Sequence, residues 1–545
     1  MDRICRLSGE SFTIRPEDEL FYKKIGVPFP TLSPDERARR RWAFRNERSL
    51  YEGTCDLCEK KMITIYSSDK PYTVYCQDCW WGDGWKADDF SASFDFSRPF
   101  FEQFSELLLK VPRSAIYNVK STNSDYCQQV YSNKDCYFCS VIKGCEGCRY
   151  ISHGIENRDC LDSTMVHKSE LCYECVDGEK LYNCFYSLNC NNSNDLYFSY
   201  DCNGCSDCFG CVGLRNKQYY IANKPYSKEE YFKRLESFGL GKWSAVQRMW
   251  EEFKSFRLTF PHRATLNIAT EHSTGNHLHN AKNVYQCFDS FDIEDCAYCI
   301  WIFRMKDSYD CYGVGDSELI YEGVGVEEVN RCFFNSLVTG CNDVHYSDSC
   351  FGSSNLYGCV GIRKGEYMIL NKQYSKEEYE TLMLKIIDHM KTTGEYGEFF
   401  PKSLSPFAYN ETLAQEKFPL SKEAVLAQGL QWKEKDLKEY QKQTYELADD
   451  VKDESDEVTK ALLACTDCGR NYNILAQDLA FYRKKRMPIP RHCVFCRHNR
   501  RMNLRMPYSL NQRVCEKCDV SLQTPYSKES LEKVVCESCY LGLVY

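Results

Sequence analysis

Residues 136–211 decide the fold when they are cut every twelve residues: CYFCSVIKGCEG, CRYISHGIENRD, CLDSTMVHKSEL, CYECVDGEKLYN, CFYSLNCNNSND, LYFSYDCNGCSD and CFGC. The first column holds Cys136, Cys148, Cys160, Cys172, Cys184, Leu196 and Cys208. The residue before it is often Asp or Asn (Asp135, Asp159, Asn183, Asp195, Asp207), and the residue after it is usually aromatic. The same frame returns at Val284, Cys296, Ser308, Ile320, Cys332, Val344 and Leu356. A short fixed period with a small or apolar column, an aromatic column and Asn, Asp and Gly at the turns predicts a β-solenoid, in which equivalent residues of stacked coils form ladders. Coils about 4.8 Å apart give each arm a length of about 30 Å. Positions 136 and 139 differ by three, which simple strand alternation would place on opposite faces. A corner is therefore expected between them if both point inward.

Outward from the repeats, each solenoid is preceded by a similar apolar segment ending before proline, FFEQF…KVP at 100–112 and MWEEF…TFP at 249–261. Both read as amphipathic helices. Each solenoid is followed by a matching exit, 211–231 and 359–379, whose SKEEY reads as a helix start. These helices are expected to cap the open solenoid ends.

The two chain ends are also copies of each other. Shifted by 460 residues, Cys55, Cys58, Cys76 and Cys79 fall on Cys515, Cys518, Cys536 and Cys539, and Arg40, Arg41 and Arg45 fall on Arg500, Arg501 and Arg505. The C-terminal copy adds Cys465, Cys468, Cys493 and Cys496. Pairs of Cys-x-x-Cys separated by such loops supply the four-sulfur shell of a structural zinc ion. The N-terminal counterparts of Cys468, Cys493 and Cys496 are Ser8, Ser33 and Glu36, which leaves Cys5 alone. If ligands pair sequentially, that copy has lost one whole site and kept the other, so about three zinc ions per chain are expected. A cross-braced pairing would break both of its sites.

Residues 461–501, with Cys465, Cys468, Gly469, Phe481, Tyr482, Lys485, Pro490, Cys493, Cys496 and Arg497, resemble the small bacterial family of probable zinc-ribbon domains. The wider arrangement, with GEYGEFFP and SLSPFAYNET within 394–412, resembles uncharacterised zinc-ribbon and β-solenoid proteins of small-genome uncultivated bacteria. This resemblance implies a fold and supplies no catalytic residues.

The expected architecture is thus multidomain and mainly β. An N-terminal zinc-ribbon pair (1–84, first ribbon degenerate) leads to a helical cap (85–123) and the first β-solenoid (124–223). A helical connector (224–271), the second β-solenoid (272–371), a helical or irregular cap (372–445), a charged linker (446–460) and the C-terminal ribbon pair (461–545) follow. A chain of 545 residues exceeds what one core serves. It has no apolar run long enough for a membrane span. The 35 cysteines, with no export signal at the start, point to reduced thiols and a cytoplasmic protein.

Net charge is −9, but the solenoids are the acidic part, with thirteen acidic against six basic residues in 124–212 and thirteen against three in 284–360. Arginines crowd the ribbons: Arg40, Arg41 and Arg45 at one end, Arg491, Arg497, Arg500, Arg501 and Arg505 at the other. Arginine forks bind phosphates, so these residues are the candidates for contact with nucleic acid or the ribosome. Alternatively they lie on helical faces and pair with the acidic solenoids. No phosphate loop, nucleophile elbow or HExxH motif calls for an enzyme. His272, His277 and His279 beside Glu271 read as a solvated loop. Two further readings are an acidic solenoid that binds a basic protein or mimics nucleic acid, and a redox or metal-cluster protein using solenoid cysteines. Against the latter, Ile320, Val344 and Leu356 replace cysteine in the same column, which suits packing better than ligation.

Overall fold

Backbone φ turns positive at every third residue of the repeat: Asn123, Tyr126, Gln129, Ser132, Asp135, Phe138 and Val141 lie between 47° and 59° in the computed structural model of the chain. Four such corners fold each twelve-residue coil into a square with three-residue sides. The residue after each corner faces inward, so Cys136, Cys139, Ile142, Cys145 and Cys148 are all buried. The left-handed region costs a non-glycine residue about 1–2 kcal/mol, and Asn and Asp tolerate it best. That explains the residue ahead of the cysteine column, because Asp135, Asp159, Asn183, Asp195 and Asp207 are all left-handed corners. Coil stacks on coil in strict twelve-residue register, Ser140 on Ser152, Ser152 on Thr164 and Thr164 on Val176, all parallel. The corner expected between positions 136 and 139 is Phe138, at φ 50°.

Residues 1–434 and 440–544 are described by the structure; the 435–439 stretch of the expected cap and Tyr545 lie outside it. The chain divides into two units. One comprises Met1–Ile116, Thr265–Glu434 and Tyr508–Leu510, so it joins the N-terminal ribbon pair to the second solenoid. The other comprises Tyr117–Ala264 with the described residues of 435–507 and 511–545, joining the C-terminal pair to the first solenoid. The solenoid sheets have ten strands in the second of these units and eleven in the first, and each ends in an antiparallel hairpin. Coils begin at Asn118–Val119 and Ile268–Glu271, slightly ahead of the boundaries expected at 124 and 272.

Within each unit the solenoid's aromatic columns form the core contact. Phe21 stacks on Tyr309 at 3.9 Å and Tyr22 meets Tyr321 edge-on at 5.5 Å. In the other unit Phe481 and Tyr482, their counterparts, lie 5.9 and 5.7 Å from Tyr173. The helices Phe100–Lys110 and Trp243–Arg257 form as expected but cap faces rather than ends. Phe100 packs on Tyr346 and Tyr357, and Trp250 and Phe253 pack on Phe198. Their apolar stripes find more area on an aromatic column than on a bare coil end. The exit helices Lys228–Ser237 and Lys376–Thr393 do sit by the last coils, each begun by a capping box from Ser227 to Glu230 or Ser375 to Glu378.

Two expectations are corrected. The charged segment 446–460 is not a flexible linker: Val451 and Val458 are buried, and it folds into short helical turns Val451–Asp453 and Asp456–Lys460. Its carboxylates act as local acceptors, as where the Ser244 hydroxyl donates to Asp449 at 2.6 Å and Arg483 donates to Asp456 at 2.6 Å. The histidine group is not a loop either. His277 and His279 belong to the strand Gly275–Lys282, while His272 follows the strand Ile268–Glu271 and is exposed.

Candidate metal centres and arginine clamps

Each ribbon begins as a tight knuckle. In the first, the Cys5 N–H donates to the Glu10 carbonyl at 2.8 Å and the Gly9 N–H donates to the Cys5 carbonyl at 2.9 Å. The same two bonds recur around Cys55, Cys465 and Cys515 at 2.9 Å each. The fifth residue of every knuckle, Gly9, Glu59, Gly469 or Asp519, has φ between 58° and 74°. This turn aims two cysteine side chains at one point. The second pair arrives at a helix start: Cys76 and Cys493 are N-caps of Gln77–Trp81 and Val494–Met502, and Cys536 precedes Glu537–Val544.

Three four-cysteine groups result, Cys55/58/76/79, Cys465/468/493/496 and Cys515/518/536/539, each with all sulfurs within 4.8 Å of one another. The grouping is sequential, as expected, and not cross-braced. Across each group the sulfurs of Cys58 and Cys76 lie 3.8 Å apart, those of Cys468 and Cys493 3.7 Å, and those of Cys518 and Cys536 3.8 Å. Four thiolates around a zinc ion at about 2.3 Å stand about 3.8 Å apart, so the donor set fits a tetrahedral metal. Electrostatics agrees. Burial pushes the Cys55 thiol up, but the backbone N–H groups of Cys76, Cys58 and Leu57 outweigh it and hold Cys55 at about 6. Cys515 is likewise held at about 6 and Cys465 at about 7. The last cysteine of the final group, Cys539, is pushed up to about 12 by the neighbouring thiols of Cys518 and Cys536. Four thiols this close cannot all ionise unless a cation joins them.

The first ribbon keeps the fold without the ligands. Ser33 replaces cysteine as N-cap of Pro34–Trp42, accepting from the Glu36 N–H at 3.5 Å, and Glu36 pairs with Arg39. Cys5 remains beside them. Burial raises its thiol, yet hydrogen bonds from Ser33 and Ser8 bring it down to about 7.

Most of the arginines next to these ribbons face inward. Arg497 pairs with Asp162 at 3.0 Å, and Arg501 pairs with Asp162 at 3.2 Å and Glu174 at 3.1 Å. Arg37 and Arg41, their N-terminal counterparts, pair with Asp310 at 3.0 and 3.2 Å, and Arg41 reaches Glu322 at 3.2 Å. Asp310 and Glu322 stand in the second solenoid where Asp162 and Glu174 stand in the first. The duplication extends further: Asp18 accepts from the Tyr298 hydroxyl and Asp478 from the Tyr150 hydroxyl, both at 2.9 Å. We call each set an arginine clamp. Asp162 and Asp310 have fully buried side chains, and burial pushes the Glu174 and Glu322 carboxyls up against the pull of the clamp arginines.

Of the eight arginines singled out for phosphate contact, Arg40, Arg41, Arg45, Arg497 and Arg501 are buried. The side chain of Arg505 is buried as well, and Arg45 and Arg505 pair with Glu47 at 3.1 Å and Asp177 at 2.8 Å. Gly325 takes the place of Asp177 in the second solenoid, and a Cβ there would lie 2.6 Å from an Arg45 nitrogen. Arg491 is half-buried over Trp243, and Arg500 is exposed. A phosphate would have to displace carboxylates from most of this set. Sequence reading did not single out the clamp carboxylates. Their signal was present, since Asp and Glu interrupt a largely aromatic column at the same two coils of both solenoids.

The solenoid cysteines are free thiols, buried throughout. Among the described residues they form no cluster of metal-ligand spacing. One inward column shows what they do. The Cys145 N–H donates to Asn133 at 2.8 Å, the Asn157 N–H to the Cys145 sulfur at 3.4 Å, the Ser169 N–H to Asn157 at 3.0 Å, and the Leu181 N–H to Ser169 at 2.9 Å. Each inward thiol also donates back to a carbonyl two residues earlier, as Cys136 does to Lys134 at 3.4 Å. Cysteine, serine and asparagine are therefore interchangeable corner fillers that satisfy backbone groups facing the core. Burial pushes Cys341 up to about 11 and Cys359 up to about 12, which disfavours the nucleophilic thiolate. No helix among the described residues is long and apolar enough to cross a membrane.

The fold and these centres define a repeat scaffold with three four-cysteine sites able to hold a metal ion. No protein-family model matches the chain, and no curated protein matches it in sequence.

Proposed function

We propose that this protein is a non-enzymatic zinc scaffold, in which metal-bound ribbons brace acidic solenoids that offer their outer faces to a basic protein partner. The observation that carries this reading is the duplicated arginine clamp, which turns the ribbons' cationic surface inward against Asp162 and Glu174, or Asp310 and Glu322. Zinc suits the centres because four thiolates leave no coordination position open, so the ion supplies a cross-link and no reactive site. The outer face of the second solenoid carries a long open groove lined by Asp292, Glu294, Asp316, Glu318 and Glu328, against Lys282, Arg304 and Lys306. Arg304 and Lys306 are engaged by Asp316 and Glu294, leaving an acidic excess at exposed Glu318 and Glu328. Nucleic-acid contact through the ribbons would depend chiefly on Arg500.

Elemental mass spectrometry of the purified protein is expected to give about three zinc ions per chain with no visible absorption. Iron or a coloured sample would replace this reading with a redox one. A lysine-rich peptide is expected to bind with salt-sensitive affinity, weakened severalfold in a Glu318→Gln/Glu328→Gln variant. If that peptide fails to bind while an oligonucleotide binds in a manner lost on Arg500→Ala, the ribbons are the partner surface.

A further inference from the structure

The two clamps are alike in geometry but not in what holds them. In the C-terminal copy, Cys493 caps the clamp helix Val494–Met502, Arg497 follows Cys496 directly, and Arg501 lies one turn further on. A metal shared by Cys465, Cys468, Cys493 and Cys496 would therefore tie the knuckle to the helix that carries the clamp. The N-terminal copy presents the same knuckle, the same nine-residue helix Pro34–Trp42 and the same arginine pairs, with Ser8, Ser33 and Glu36 in place of ligands.

What crosses the gap there is Glu398, from the GEYGEFFP segment. Its carboxylate accepts from Arg6 of the knuckle at 2.9 Å, from the Thr31 hydroxyl in the loop before the helix, and from Arg40 of the clamp helix at 3.0 Å. The Glu398 side chain is only 15% exposed. Burial raises its carboxyl, but Arg40, Thr31 and Arg6 outweigh this and hold it below the usual range. One acidic centre thus joins the knuckle to the clamp helix, the two parts that a metal would join in the other copy, and takes in the loop before the helix as well. Thr466, at the place of Arg6, has no charge to give such a centre.

We propose that the clamp on the first solenoid is released by loss of metal from the Cys465 centre, whereas the clamp on the second solenoid is metal-independent and is held by Glu398. The metal half of this inference rests on the zinc-scaffold reading. Without the cross-link the clamp helix is anchored mainly by its arginines, and local opening of such an element is visible in amide exchange.

The test is hydrogen–deuterium exchange on the full-length protein with metal counted in the same samples. Cys468→Ser removes an exposed thiol and installs the residue that the N-terminal copy already has at Ser8. It is expected to lose one metal and to speed exchange in Val494–Met502 and in coil residues 160–177 at least about tenfold, with Pro34–Trp42 unchanged. Glu398→Ala is expected to keep all metal and to speed exchange in Pro34–Trp42 instead. If the variants aggregate, wild-type protein with and without a chelator gives the first comparison. A wild-type protein without metal would sink the scaffold reading. Metal present and then lost, with Val494–Met502 still protected, would overturn the inference alone. Protection of Pro34–Trp42 in Glu398→Ala would remove Glu398 from the role of cross-link.

Discussion

Asp162→Ala is expected to destabilise the unit containing the first solenoid by about 3–5 kcal/mol, read as a lower denaturant midpoint. Asp162 is fully buried between two guanidinium groups whose own side chains are 5% and 1% exposed. Removing the carboxylate leaves Arg497 without its ion-pair partner and Arg501 with Glu174 as its one carboxylate, beside the Thr164 hydroxyl. Uncompensated buried charge, more than the lost attraction, sets the size of the effect. Asp162 is also a left-handed corner at φ 47°, which adds about 1 kcal/mol for alanine. Asp162→Asn keeps the corner and should fall between alanine and wild type. Asp310→Ala should act equally on the other unit, because Asp310 holds Arg37 and Arg41 at the same distances. A replacement that removes every charge of the clamp and keeps the corner, Asp162→Asn/Glu174→Gln/Arg497→Met/Arg501→Met, should recover part of the loss, since it leaves neither a guanidinium nor a carboxylate unpaired. A midpoint shift below about 1 kcal/mol for Asp162→Ala would mean that water reaches the clamp.

Ser8→Cys/Ser33→Cys/Glu36→Cys is expected to add one metal ion per chain, raising the content from three to four. The frame for the fourth centre is already in place. The Cys5 knuckle has the same two backbone bonds as Cys465, and Gly9 at φ 73° matches Gly469 at 74°. Ser33 and Cys493 cap their helices with φ of −61° and −65°. The Ser33 and Ser8 groups lower the Cys5 thiol, which is consistent with first, second and third ligand positions that face one another. Metal analysis of the folded triple variant decides it. Unchanged content would show that the knuckle and helix start stand too far apart for a tetrahedral shell, despite their matching backbones.

Much of this could be read from residues. The twelve-residue period came from columns of small or aliphatic, aromatic and Asn/Asp residues, because a narrow square coil admits inward side chains no larger than aliphatic ones along these columns, and its left-handed corners favour Asn, Asp and Gly. The metal groups were legible because Cys-x-x-Cys spacing is a local property of the knuckle and survives whatever the ribbon packs against. The degenerate ribbon was legible for the same reason, as a lost ligand changes identity without moving the register. The linker was misread because charged residues dominate 446–460, while its core side consists of the scattered Leu447, Val451 and Val458.

The role of the arginines was a different matter. Sequence placed Arg40, Arg41, Arg497 and Arg501 beside the ribbons and placed carboxylates in both solenoids, and a phosphate site and an internal salt bridge remained equally compatible with that. Whether a guanidinium meets a phosphate or an aspartate depends on which surface covers it, and here the covering surface lies hundreds of residues away. Sequence by itself determined the coils, the knuckles and the ligand sets, since each is built from neighbours along the chain or from a fixed repeat. Only the tertiary structure decided that the N-terminal ribbons serve the second solenoid and the C-terminal ribbons the first. Only it decided that Glu398 closes the ribbon that has no metal set, because burial and charge pairing between distant segments are properties of packing and leave no local pattern.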